Sequence, residues 1–290
     1  MSNKRDPLGD RMKESYENRS KTYLVRRMPV IIRLDGKAFH TFTKHLQKPY
    51  DEVFHNAMNS TMKYLCENIQ CCKLGYTQSD EITLLLTDYD TLDTDAWFDN
   101  NVQKICSISA SLATWAFNTF FAEEVNVWAA KNNISPMEYL NEGKDEYLLK
   151  LHKAYRNACI KGAMFDSRCF NIPESEVTNC FIWRQQDATR NAIQMLGQCH
   201  FSHKELQDKS NNDIQDMLMT QKGINFNDMP IEFKRGVCCY KTTCTNTRID
   251  FKTKEEVTFE RKYWKIDKEI PIFTQDRNYV ECRFKSEEVK

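Results

Sequence analysis

The chain has 290 residues, 41 basic and 41 acidic, with 41% hydrophobic residues and only 8 Gly and 7 Pro. That composition excludes collagen-like, low-complexity and disordered classes, and the length accommodates one large domain or two modest ones. With no net charge, no global positive field draws the protein to nucleic acid, so any RNA-binding surface must arise from local segregation of charge. The twelve cysteines form no CxxC pair, and Cys71-Cys72 and Cys238-Cys239 are adjacent, a poor geometry for bridges; reduced thiols are expected. The N-terminus mixes acidic and basic residues without the apolar core of a signal peptide, and no run of about 18 apolar residues follows. The expectation is a soluble, cytoplasmic protein without a membrane span, an organellar location remaining open.

Pro29 to Leu34 is a β-branched run that reads as a buried strand ending at Asp35-Gly36, which places a carboxylate at a strand end. From Glu52 to Asn68, Val53, Ala57, Met58, Met62 and Leu65 recur at threes and fours, the stripe of a helix. Cys71 to Tyr76 and Ile82 to Leu86 read as the strands of a hairpin with Thr77-Gln-Ser-Asp-Glu81 as its turn, followed by a polar loop from Thr87 to Asp99. Val102 to Phe121 reads as a second helix, Glu123 to Lys161 as an inserted, largely helical excursion, and Ala163 to Phe170 as a fourth strand. The order β-α-β-β-α-β is that of a split βαβ, ferredoxin-like arrangement: an α+β fold whose helices cover one face of an antiparallel sheet and leave the other free for chemistry. Beyond it, Glu174 to Gln198 reads as a long helix, Phe201 to Gly223 as helical and polar, and Gly236 to Phe259 as a hairpin.

In such a sheet the first strand pairs with the hairpin near the centre, so Asp35 and Asp80-Glu81 converge although far apart in sequence. Two aspartates on neighbouring strands are the minimum apparatus for a pair of Mg²⁺ ions, one activating an attacking oxygen and one steadying a triphosphate. Strand alternation puts only one of Asp80 and Glu81 on the Asp35 face; Asp80 is assigned to the metal, and Glu81 stays a catalytic candidate. The ordinary alternative is that turn carboxylates are solvated caps and Asp-Gly simply a turn. The adjacent residues favour phosphate chemistry: Gly36 permits close backbone approach, Lys37 and His40 follow it, and Lys48 precedes Pro49. Neither GxxxxGK[ST] nor GxGxxG occurs.

The blocks Arg33-Leu-Asp-Gly-Lys-Ala-Phe-His40, Lys48-Pro49 and Tyr76-Thr-Gln-Ser-Asp-Glu81 resemble the tRNA-His guanylyltransferase superfamily of 3′-to-5′ polymerases. The likeness continues through Phe165-Asp-Ser-Arg-Cys-Phe-Asn-Ile-Pro173, Trp183-Arg-Gln-Gln-Asp187, Lys222-Gly-Ile-Asn-Phe-Asn-Asp-Met-Pro230 and Lys234-Arg-Gly236. It implies a polymerase-palm-like catalytic domain over 23–175, a helical, fingers-like region over 176–240 that completes the core, and a C-terminal extension over 241–290. It also implies two Mg²⁺ ions, ATP, GTP and other nucleoside triphosphates as substrates, tRNA as partner, and a homotetramer. By the same resemblance Asp35 and Asp80 would ligate the metals with the Gly36 carbonyl. The incoming triphosphate would lie against Asp35, Gly36, Lys37, Ala38, Phe39 and His40 and against Ser79-Asp80, with Lys48 as a phosphate contact.

After Trp183-Arg-Gln-Gln-Asp187 the eukaryotic guanylyltransferases continue with a His-Ile-Asn-Asn type sequence, whereas this chain reads Ala188-Thr-Arg-Asn-Ala-Ile193. The resemblance is therefore greatest to the Thg1-like branch, implied to repair 5′-truncated tRNAs by templated addition. A tRNA-His guanylyltransferase adding one G at position −1 is the alternative, and a non-catalytic tRNA-binding protein the alternative of another class. Candidate tRNA contacts are Arg26 and Arg27, Lys153 and Arg156, Lys234 and Arg235, and Arg184 and Arg190, the last two six residues apart on a helix and hence on different faces.

Overall fold

The computed structural model describes residues 6–135, 143–249 and 256–285. The middle of the expected excursion, 136–142, and parts of the C-terminal extension, 250–255 and 286–290, lie outside the described residues. After a short N-terminal helix, α1 (Pro7–Ser15), the chain forms β1 (Val30–Gly36), the one-turn α2 (Phe39–Phe42), α3 (Glu52–Asn68), β2 (Cys72–Gln78) and β3 (Glu81–Leu86). Then come α4 (Val102–Lys131), α5 (Glu146–Lys161), β4 (Phe165–Asn171) and the long α6 (Glu174–His200). α7 (His203–Leu206), α8 (Asn211–Lys222) and α9 (Ile231–Arg235) lead into β5 (Val237–Ile249), β6 (Glu256–Asp267) and α10 (Asn278–Glu281).

The six strands form one antiparallel sheet in the order β4-β1-β3-β2-β5-β6, whose first four are the expected split βαβ core. Its strands are apolar on both sides, and alternation distributes them: Val30, Ile32 and Leu34 join Met58, Met62 and Phe117 of α3 and α4, while Ile31 points the other way. The second face is not free, as expected, but covered. Ile31, Leu74, Tyr76 and Leu85 pack beneath Val177 and Phe181 of α6 and against Phe273 and Val280 near the C-terminus. A run such as Leu84-Leu85-Leu86, all buried, is the signature of a strand sandwiched on both faces.

Four boundaries differ from the expectation. The hairpin turn is only Ser79-Asp80, because the polar Thr77 and Gln78 stay in the ladder opposite Ile82 and Glu81, and the Thr77 hydroxyl donates to the Glu81 carbonyl at 2.9 Å. α4 runs ten residues past Phe121, since Val125 and Ala129 extend its buried stripe at the four-residue spacing. The helical stretch after Phe201 is broken by Ser210, which caps α8 through a reciprocal bond with Asp213. The C-terminal hairpin continues to Asp267, with Trp264 and Ile266 anchoring its base on the core. Beyond the Leu74–Thr77 pairing with β2, the ribbon from Lys241 outward pairs only with itself among the described residues.

By length and composition α4 alone, among the described residues, could cross a membrane. Here its stripe of Ile105, Ala113, Phe117 and Phe121 belongs to the core that backs the sheet.

Candidate active site

β1 and β3 pair in register down to Asp35 opposite Glu81, and the Gly36 amide donates to the Asp80 carbonyl at 3.1 Å. The strand end carrying Asp35 and the turn carrying Asp80 are thus fastened side by side. Both line one cavity of about 450 Å³. Burial raises the proton affinity of each. For Asp35, burial is reinforced by the charges of Glu81 and Asp166. For Asp80, burial with the charges of Asp35 and Glu81 pushes it up to about 6, although the Ser79 hydroxyl donates to its Oδ1 at 3.0 Å. Neither carboxylate has an ion-pair partner among the described residues.

Gly36 is required by its neighbour. A Cβ there would lie 2.2 Å from the Phe39 ring, and Phe39 is the hub of an aromatic cluster, 5.2 Å from Phe42, 5.4 Å from Phe117 and 5.1 Å from Phe165. The buried ring pulls the chain into a tight bend through Ala38, whose φ is +55°, and into α2. The expected cradle of amides is narrower than anticipated: the Gly36 amide is used by Asp80, and the Lys37 amide donates to the Met164 carbonyl at 2.9 Å. What remains is the open first turn of α2, from Ala38 to His40. Ala38, Phe39, His40, Ser79 and Lys48 line the cavity with the two aspartates, whereas Lys37 is exposed outside it.

Glu81 does not line the cavity. Its carboxylate accepts from Arg33 at 2.9 Å and from Arg184 at 2.6 Å, and Arg184 also reaches Asp187 at 3.1 Å and lies 3.8 Å from the centre of the Trp183 ring. The Trp-Arg-Gln-Gln-Asp block is therefore what ties α6 to the turn end of the hairpin. This corrects the expectation of tRNA contact for Arg184, which is 4% exposed and has both terminal nitrogens on carboxylates, Glu81 and Asp187. Lys234 is corrected likewise: it is buried, and its Nζ bonds the Asn227 carbonyl. Arg235 reaches the Ile270 carbonyl, Arg190 pairs with Asp187, and Arg26 sits among Asp88, Asp95 and Asp99. Arg27 is exposed and uses its backbone amide on Asp88; Lys153 and Arg156 are exposed on α5 without an acidic partner among the described residues.

Sequence reasoning missed the far wall of the cavity. Ala188, Asn191, Ala192 and Met195 from α6 line it, as do Glu232 and Phe233 from α9 and His55 from α3. The spacing of 188, 191, 192 and 195 puts these α6 residues on one helical face, a readable signal, but only topology shows that this face meets Asp35. His55 stacks on Tyr50 at 4.2 Å, and burial lowers its proton affinity to about 4, so it is neutral at pH 7. Among the described residues no cluster of three or more His, Cys, Asp or Glu side chains could hold a metal ion.

A family model described as tRNAHis guanylyltransferase matches residues 9–173, over half of the chain. The chain belongs to that family. It is accordingly a nucleotidyltransferase. The tRNA(His) guanylyltransferase of Saccharomyces cerevisiae is 28% identical over 222 residues, covering 71% of this chain and 80% of the yeast protein. A probable tRNA(His) guanylyltransferase of Dictyostelium discoideum is 24% identical over 266 residues, 83% of this chain and 90% of that one. Among solved structures, a bacterial tRNA(His) guanylyltransferase (Thg1)-like protein in complex with ATP matches with a TM-score of 0.72 and 41% identity, over 96% of this chain and 100% of that one. A bacterial protein of the same description in complex with GTP matches at 0.69 and 39% identity, over 96% and 98%.

Proposed function

We propose that this enzyme adds nucleotides to the 5′ end of tRNA in the 3′-to-5′ direction, directed by the opposing template base, and so restores 5′-truncated tRNAs. The observation that carries this reading is the pair Asp35 and Asp80, held side by side without a counter-ion at one cavity, in a chain similar to proteins whose structures hold ATP and GTP. The donor set fits Mg²⁺, which takes one or two protein carboxylates and completes its shell with phosphate oxygens and water. Asp35, Asp80 and the Gly36 carbonyl would hold two such ions, which when bound supply Lewis-acid activation of the attacking hydroxyl and neutralise charge on the triphosphate. Lys48 and the first turn of α2 receive phosphates, and the Phe39 anchor keeps that turn in place against Asp35.

Two observations favour templated repair over single-G addition. The α6 segment that departs from the His-Ile-Asn-Asn pattern lines the cavity through Ala188, Asn191 and Ala192, and the Thg1-like structures are the more similar, at 41% and 39% identity against 28% for the yeast enzyme. Self-association into a tetramer belongs to the same proposal.

The test is incubation with Mg²⁺, ATP, the four nucleoside triphosphates and a tRNA lacking its first 5′ nucleotide, with the opposing base varied. Addition that follows the template, and falls about 10³-fold or more in Asp80→Asn, is the expected result, several kcal/mol being what metal-assisted charge stabilisation supplies. Addition of G whatever the opposing base, with preference for tRNA-His, would replace this reading by the guanylyltransferase one. Binding without addition would sink both.

A further inference from the structure

A second groove, of about 820 Å³, runs between the segment from Thr41 to Lys48 and one face of α5. It shares Leu46, Gln47 and Lys48 with the cavity that holds Asp35 and Asp80, so the two concavities meet along a common wall. Its α5 side is built from Tyr147, Lys150, Lys153 and Lys161, at spacings of three, three and eight that stay on one face of the helix. Lys44 and His45 oppose them. Lys150 is paired with Glu146 at 2.7 Å, but Lys44, Lys153 and Lys161 are exposed and have no carboxylate partner among the described residues. In a chain with equal numbers of acidic and basic residues, unpaired lysines gathered along a groove are the local charge segregation that neutrality otherwise denies.

We propose that this groove carries the sugar-phosphate backbone of the RNA strand whose 5′ end enters the catalytic cavity, with Lys44, Lys153 and Lys161 on phosphates along that strand. This rests on the reading of the cavity as a site acting on the 5′ end of RNA. The cations favour a strand over a single nucleotide. Lys153 and Lys161 are eight residues apart on α5, about 12 Å along the helix axis, which outreaches one triphosphate and suits a chain of phosphates. Tyr147, 58% exposed at the same lip, offers a ring on which an unpaired base can stack. Lys48 at the junction then marks where backbone contacts give way to the reacting phosphates.

The experiment compares the wild-type enzyme with Lys44→Gln/Lys153→Gln/Lys161→Gln, and with Lys13→Gln/Lys204→Gln/Lys209→Gln, which removes the same charge at exposed positions outside the groove. Binding of a 5′-truncated tRNA is measured against salt concentration, and binding of ATP separately. The groove variant is expected to bind tRNA roughly 10- to 100-fold more weakly, with the slope of log K against log salt reduced by about 2, since each single-strand phosphate contact contributes about 0.7. Its KM for tRNA rises while kcat at saturation and ATP affinity stay unchanged, and the control variant keeps its tRNA affinity. Unchanged tRNA affinity and slope in the groove variant, with wild-type addition intact, would overturn the assignment while leaving the proposed function standing. An equal loss in the control variant would overturn it in favour of bulk charge, and loss of ATP affinity with tRNA binding intact in favour of a second nucleotide site. If the wild type neither binds nor extends tRNA, the proposed function falls and the groove assignment with it.

Discussion

Two carboxylate neighbourhoods sit back to back at the same strand end and have opposite fates. Glu81 is neutralised by Arg33 and Arg184 and closed over by Trp183, so its charge is spent inside the fold on fixing α6 to the hairpin. Asp35, opposite Glu81 in the ladder, and Asp80, next to it in the chain, receive no cation and face a cavity. Arg33 and Arg184 lie at this strand end, yet among the described residues their ion pairs go to Glu81 and Asp187 and not to Asp35 or Asp80. Carboxylates left unpaired beside one paired with care are the pattern of a site rather than of a structural contact.

That contrast can be broken from either side. Glu81→Gln leaves Arg184 buried with only Asp187 for its charge, and its Nε already lacks an acceptor. Loss of about 3 kcal/mol is expected, as for a buried pair deprived of one partner, read by chemical denaturation. Asp80→Asn acts in the opposite sense. Because Asp80 titrates at about 6 rather than 3.8, the folded state binds its proton more tightly than the unfolded chain between those values. Wild-type stability therefore falls, by on the order of 3 kcal/mol, as pH rises through that window and stays lowered above it. The variant, reduced about 10³-fold or more in activity, is expected to lose the share of this pH dependence that comes from Asp80, keeping that of Asp35, and to be the more stable protein at pH 7. Added Mg²⁺ raises the wild-type Tm above pH 6 and leaves that of the variant unchanged. Arg190→Ala is the smallest perturbation: its pair with Asp187 is exposed, so stability moves by less than about 0.5 kcal/mol. A larger drop would mean that Asp187 helps hold Arg184.

The core of this arrangement was legible before any coordinates. Periodicity delivers α3 residue for residue, and the motif blocks lead to Asp35, Asp80 and the turn of α2. What escaped was set by contacts between distant segments. That Arg184 lies under the hairpin follows from the polar base of β3 meeting α6, a tertiary fact no helical wheel contains. Thr77 and Gln78 read as turn residues because they are polar, yet the ladder uses their backbones. The second face of the sheet was legible in principle, since Leu84-Leu85-Leu86 leaves no polar side, but what covers it arrives from residues 270–284, a stretch whose lysine-rich approach conceals Ile270, Phe273 and Val280.

The ribbon of β5 and β6 has a kinetic consequence. At its root, Cys238 and Cys239 are fully buried and held by β2 on one side and β6 on the other, and Trp264, opposite Lys241, still packs on the core, whereas farther out each described strand hydrogen-bonds only to the other. A two-stranded ribbon without a covering layer is marginal in water, so its backbone amides must open to solvent independently of the domain. Hydrogen exchange should then record a gradient along one continuous strand, from protection near that of global unfolding at Cys239 to almost none at Ile249. A partner that docks along the ribbon would then be seen as protection gained outward from Cys239 toward Ile249, where the free protein is expected to show least.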